Sequence, residues 1–281
     1  KVLQGLLCSA LKHFGTVCSQ FEGCAQHIRC LAAHQHPLQS NCCKIYVQKR
    51  LRIFISLSSK SNSCYNRIGQ IKEGEHNMKI QSVTILGAGA VGSYIIWGLS
   101  KKDNIRLGVI AEGDRARRLK ESGCAINGAV YRPEVWTPQE AQGVDLLVVA
   151  LKYGSLPGAL ESIKTAVGSN TVVMSLMNGV DSEELIAAQV GAEHLLYSFI
   201  KVASHKEADG YHFDPDATLG VIYGERFAPF ESERVQAVRE LFTDSGVNFR
   251  VTEHIQEEMW SKFRLNVCNN LPQAILCGLL P

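Results

Sequence analysis

From Met78 onward the sequence predicts an α/β domain doubly wound around a parallel sheet. Three observations point there. Short apolar runs alternate with helical stretches, a glycine cluster follows the first run directly, and the runs within 145–150 and 171–176 are mostly apolar without alternation. Uninterrupted apolar strands suit a parallel sheet whose two faces are both covered by helices.

The elements follow in order. Residues 82–86 (SVTIL) are β-rich and end at the glycines, and 91–99 read as a helix with apolar residues on most sides. Residues 106–110 give a second strand, and 114–121 a charged surface helix stopped by Gly123. Residues 124–136, with Asn127-Gly128 at a turn position, predict a hairpin excursion. A strand at 145–150, a helix at 156–167 and a strand at 171–176 continue the alternation. Residues 182–190 are expected to be helical; Asp181 can cap them, and Glu184 supplies the spacing of a capping box. Strands at 195–202, 211–213 and 219–223 then form an antiparallel-looking stretch. An amphipathic helix at 231–242, a last strand at 247–251 and a helix over 255–274 complete the chain.

Composition narrows the function classes. The 281 residues are 46% hydrophobic and 20% charged, as in ordinary soluble globular proteins. A net charge of +2 gives no reason to expect nucleic acid or an anionic membrane as partner. No apolar run approaches the roughly 18 residues of a membrane span. The average conceals a break at Met78, however. Residues 1–77 hold ten Lys/Arg against three Asp/Glu and seven of the ten cysteines, and no C-x2-C pair that would suggest a metal module. Met78 is the first methionine, and Lys72-Glu73-Gly74 can be back-translated as a purine-rich ribosome-binding sequence just upstream. Residues 1–77 therefore read as translated upstream bacterial sequence with no assigned fold.

Gly87-Ala88-Gly89-Ala90-Val91-Gly92 is a G-x-G-x-x-G between a predicted strand and a predicted helix, the context that gives the pattern meaning. The first glycine permits a tight turn, and the second lets main chain approach a pyrophosphate. The third lets helix and strand pack closely, and the helix N-terminus favours the negative charge. The domain is thus Rossmann-type and dinucleotide-binding. Glu112, twenty residues beyond Gly92, stands where an acid would bind the ribose hydroxyls of NAD(H). Arg115, Arg117 and Arg118 follow and could instead hold a 2′-phosphate, so the residues leave both cofactors open.

Lys262, Asn266 and Asn270 recur every four residues among Trp260, Phe263, Leu265 and Val267. On an α-helix such positions drift by only about 40° per step and share one face. Asn is a poor helix former, and a lysine with two amides among large apolar residues needs polar partners. A substrate with a carboxylate, a carbonyl and a hydroxyl would supply them. Lys152 and Asn178 follow the strands ending at Ala150 and Leu176, at the edge where parallel sheets bind ligands. Tyr197 and Lys201 match the Y-x-x-x-K of short-chain dehydrogenases, but those side chains cooperate on a helix, and this segment reads as strand.

GAGAVG, the Lys152 loop, MNGVDSEE at 177–184 and WSKFRLNVCNN at 260–270 together resemble the ketopantoate reductase (2-dehydropantoate 2-reductase) family. The resemblance covers residues 78 to about 278. It implies NADP(H)-dependent reduction of a branched 2-keto acid, 2-dehydropantoate to pantoate, by a cytoplasmic bacterial enzyme of pantothenate biosynthesis. Gly87, Ala88, Gly89, Ala90, Val91, Gly92, Lys152 and Asn178 would contact the cofactor, Lys262 would donate the proton, and Asn266 and Asn270 would bind substrate hydroxyl and carboxylate. No metal is implied, and a homodimer is left open. The implied organisation is a nucleotide-binding domain at 78–253 and, at 254–281, the first helix of an incomplete all-helical C-terminal domain. The sequence departs from the family pattern at Leu271, where proline usually follows the asparagine, and at Glu112, which keeps NAD(H) open. A related 2-keto acid or opine-type dehydrogenase, or an inactive nucleotide-binding fragment, are the alternatives.

Overall fold

The computed structural model describes residues 78–270 and Pro272; the readings made for 1–77, Leu271 and 273–281 lie outside these residues. The chain runs β1 (Ser82–Leu86), α1 (Ala90–Leu99), β2 (Arg106–Ile110), α2 (Gly113–Ser122), β3 (Cys124–Ile126), β4 (Ala129–Tyr131) and β5 (Glu134–Trp136). It continues as β6 (Leu146–Val149), α3 (Leu156–Ala166), β7 (Val172–Ser175), α4 (Ser182–Val190), β8 (Tyr197–Lys201) and β9 (Ser204–Glu207). Then come β10 (Gly210–Phe213), β11 (Gly220–Gly224), α5 (Glu233–Phe242), β12 (Phe249–Val251), α6 (Ile255–Leu265) and a π-helical turn over Asn266–Asn270. No described helix is long and apolar enough to cross a membrane.

The main sheet has the order β5-β2-β1-β6-β7, and every pairing in it is parallel. Alternate residues of its strands feed two separate cores, as the pleat requires. Val83, Ile85, Leu146 and Val148 pack towards α1, whereas Leu86, Leu147, Val149 and Val173 pack with Leu156, Ile163 and Ile186 of α3 and α4. The expected double winding is therefore present. Strand order reverses at β1, which lies between β2 and β6, so a crevice opens at the carboxyl ends of β1 and β6.

The second half of the chain extends this scaffold. A parallel bridge between Val173 and Leu195 sets β8 alongside β7, and β8 pairs antiparallel with β11, which pairs parallel with β12. Ile255 and Met259 bury the first turns of α6 in the same core as α3 and α4.

Three expectations need correction. The 124–136 excursion is a hairpin only through β4, with Asn127 at a φ of 49° in its turn; β5 returns to become an edge of the main sheet. The antiparallel stretch divides: β10 leaves the β8–β11 pair, joining β9 antiparallel and β3 in parallel in a small sheet β4-β3-β10-β9. That small sheet covers the outer side of α1, where Tyr94 and Trp97 meet Phe213 edge-on at 5.2 and 5.4 Å, and explains why α1 is apolar nearly all round. Finally, Asp181 stands at the N-cap of α4 without capping it; its carboxylate accepts the Tyr153 hydroxyl at 2.6 Å instead.

Candidate functional site

The glycine turn has a distinct spatial reason at each of its three positions. Gly87 has a φ of +110°, a conformation L side chains rarely adopt, and its missing Cβ leaves room for the Ala150 carbonyl. At Gly92 a Cβ would stand 1.9 Å from the Gly87 carbonyl oxygen, so helix and turn could not close. Around Gly89 no protein atom lies within 4 Å of where a Cβ would be. This opening, at the N-terminus of α1, is where a pyrophosphate could approach main chain, and it fits a dinucleotide.

Gly87, Ala88 and Gly89 line a cavity of about 550 Å³ together with Lys152, Arg115 and Arg118. A second crevice adjoins it beyond β2, walled by Ile110, Leu151 and Ala159 and flanked by Glu112 and Arg115. Arg117 is turned to Asp114 at 3.0 Å and lines neither space. The three arginines are thus not equivalent. Tyr211 also lines the larger cavity, from β10 of the small sheet. It gave no local signal in the sequence, because its position depends on β10 pairing with β3 through Tyr211 and Ile126.

Lys262 and Asn178 do not line these cavities, but they meet each other. The Lys262 ammonium donates to Asn178 Oδ1 at 3.0 Å, joining α6 to the loop after β7. β7 is two strands from β1, about 10 Å across the sheet at ~4.8 Å per strand, and its carboxyl end lies on the same edge as the glycine turn. Lys262 is half-buried, and burial, assisted by the charge of Lys201, pushes its ammonium down to about 8. The ammonium also lies 5.7 Å from the centre of the buried Phe199 ring.

Asn266 and Asn270 do share a face, though by a different geometry from the one expected. The helix predicted across 255–274 is α-helical over Ile255–Leu265, widens into a π turn over Asn266–Asn270 and is α-helical again at Pro272. Within that turn Asn270 Nδ2 donates to Asn266 Oδ1 at 3.2 Å.

Beneath the Asn178 loop lies a feature sequence reasoning missed. Glu183 is 1% exposed, and its carboxylate accepts from Ser182 Oγ at 2.9 Å, while Ser182 Oγ is 2.8 Å from Ser175 Oγ at the end of β7. Burial pushes the Glu183 carboxyl up to about 7, despite the hydrogen bonds that favour its ionised form. In the sequence it is one of two consecutive glutamates on a short helix, with nothing to mark which one faces inward. The Tyr197/Lys201 pair lies on strand β8, as expected, and the Tyr197 hydroxyl accepts from Arg226 at 2.8 Å.

Comparison with known proteins agrees with this architecture. Residues 83–218 match the family described as ketopantoate reductase PanE/ApbA. A 2-dehydropantoate 2-reductase of Streptococcus pyogenes is 26% identical over 199 residues, which cover 69% of this chain and 64% of the relative. The crystal structure of 2-dehydropantoate 2-reductase from Geobacter metallireducens is similar with a TM-score of 0.60 at 25% identity, over 69% of this chain and 65% of that one. A D-mandelate dehydrogenase solved with NADH and anilino(oxo)acetate shares the fold, with a TM-score of 0.57 at 20% identity over 68% of this chain and 64% of that one. The chain spans 60–64% of the length of such curated relatives. The glycine turn and the parallel sheet agree with that match, in which residues 83–218 are similar to the ketopantoate reductase PanE/ApbA family.

Proposed function

We propose that the protein is a nicotinamide-dependent reductase of a branched 2-keto acid, ketopantoate first, and that it uses NADP(H). The observation that carries this reading is the Lys262–Asn178 hydrogen bond, which holds an ammonium of lowered proton affinity on the sheet edge that bears the glycine turn. When bound, the cofactor supplies the hydride. The main chain of Gly87 to Gly92 and the N-terminus of α1 hold its pyrophosphate, with Lys152 and Asn178 orienting the nicotinamide half. Lys262 gives a proton to the substrate oxygen as negative charge develops there, and stabilises that charge by its own. The Asn266 and Asn270 amides bind the substrate hydroxyl and carboxylate.

Arg115 and Arg118 on the cavity support a 2′-phosphate, and Glu112 beside Arg115 opposes one. The NADH in D-mandelate dehydrogenase shows that this fold accommodates the cofactor without that phosphate. The test is oxidation of NADPH and of NADH by the purified full-length protein with ketopantoate. Turnover with NADPH preferred is expected. Turnover only with benzoylformate or another 2-keto acid would shift the substrate. Cofactor binding without turnover on any of them would reduce the protein to a nucleotide-binding module.

A further inference from the structure

β8 and α6 set two ammonium groups around one aromatic ring. Phe199 is 3% exposed, and the Nζ atoms of Lys201 and Lys262 each lie 5.7 Å from its centroid. Because β8 runs parallel beside β7, Lys201 at its carboxyl end stands on the edge that carries Asn178. The attraction of each cation for the ring is worth only about 0.5–1 kcal/mol at such a partly exposed site. It does not remove the repulsion between the two charges.

Protein carboxylates offset that repulsion only in part, through the weak attraction between Lys201 and Glu258. Among the described residues neither lysine has an ion-pair partner. Glu258, one helical turn before Lys262, is already engaged by Arg250 Nη1 at 3.1 Å and by Thr252 Oγ1 at 2.7 Å.

We propose that Lys201 and Lys262 form a two-lysine cradle over Phe199 for a 2-oxo acid, with Lys201 as the counter-charge of the carboxylate. The inference rests on the reductase reading and adds to it a residue that decides substrate charge. In a 2-oxo acid the carboxylate is bonded directly to the carbonyl carbon, so its nearer oxygen lies within about 3 Å of the reacting oxygen. An ammonium that surrenders its proton at the carbonyl cannot also remain the carboxylate's counter-charge through the reaction. Asn266 and Asn270 offer amide hydrogen bonds but no charge, and one of those groups is turned to the other. A second fixed cation solves this, because charge-assisted hydrogen bonds are about twice as strong as neutral ones. The carboxylate in turn offsets the repulsion between the two lysines. The cradle therefore selects 2-oxo acids over their neutral esters and over aldehydes.

The probe is oxamate, an unreactive analogue with the same carboxylate. Its affinity for the protein–cofactor complex is measured by calorimetry, beside kinetics on a 2-oxo acid and its methyl ester. Lys201→Ala is expected to weaken oxamate binding and raise KM for the acid by about tenfold or more. It should leave cofactor affinity within about twofold and slow the ester far less than the acid, since the ester feels only the altered proton affinity of Lys262, and Lys201→Arg should restore most of the loss. Unchanged oxamate affinity in Lys201→Ala, or equal losses on acid and ester, would overturn the cradle. Wild-type protein that binds oxamate through Lys201 but reduces no 2-oxo acid would sink the reductase reading and keep the cradle. Absence of oxamate binding to the wild type would overturn the cradle, and turnover of 2-oxo acids in that case would leave the reductase reading standing.

Discussion

Around the glycine turn, what matters is carried by six consecutive residues; around Lys262 it comes from the loop after β7, from β8, and from a helix more than 80 residues downstream of that loop. The turn is a backbone device. Its positive φ, its close approach at Gly92 and its opening at Gly89 depend on the absence of side chains, so their spacing alone announces them. The Lys262 end is a side-chain device, and its chemistry depends on what surrounds the amine. The two also differ in what a substitution removes: main-chain space at the first, one proton and one charge at the second.

The largest effect is expected at the side-chain end. Lys262→Ala should lower turnover by about 10²- to 10⁴-fold while leaving cofactor affinity nearly unchanged, as read by kinetics beside fluorescence titration. Equal losses in both would merge the two regions into one cofactor site. Gly92→Ala comes next and acts on folding, since its Cβ would collide with the Gly87 carbonyl. A loss of about 3 kcal/mol in denaturant unfolding is expected, with cofactor binding impaired as the turn shifts. Gly89→Ala sharpens the contrast: with no protein atom nearby, stability should hold while cofactor affinity falls about tenfold. Loss of stability at Gly89 instead would show that the opening serves packing.

The smallest effect on activity is expected at Glu183, whose proton acts on stability. Its folded pKa of about 7 lies above the usual carboxylate value of 4.5, so the folded protein holds this proton more tightly than the unfolded chain does. Stability from this group is present below about pH 4.5 and is lost as pH rises towards 7. Glu183→Gln should therefore be more stable than wild type at about pH 8 by up to about 3 kcal/mol, with the gap closing below about pH 5. Thermal unfolding of both proteins across that range checks it. A constant gap would assign the effect to packing and not to the proton.

Legibility in the sequence follows the same division. The parallel strands were readable because Leu146 to Val149 and Val172 to Met174 are buried on both faces and hence continuously apolar. The departure of β10 into a second sheet was not, since a four-residue strand carries no label for its partner. The Lys262–Asn266–Asn270 stripe was visible as spacing, but the π turn that sets the two amides together was not, because the spacing is the same for either helix. Asp181 fitted a cap by sequence distance, and a tyrosine from another loop claimed it. Phe199 was read only as a strand residue and Lys201 only as part of a discounted Y-x-x-x-K match, since their nearness to Lys262 arises from α6 packing on β8.

The most direct test of the side-chain end is the pH dependence of kcat/KM for the 2-keto acid in the full-length protein, the rate that reports the lysine before substrate binds. A lysine with its ammonium pushed down to about 8 is a proton donor below that pH and loses the proton above it. The wild-type rate should fall along one alkaline limb centred near pH 8, and the residual rate of Lys262→Ala should be flat from about pH 6 to about pH 10. A wild-type rate that does not fall over that range, or a limb that survives in Lys262→Ala, would contradict the assignment of Lys262 as the proton donor.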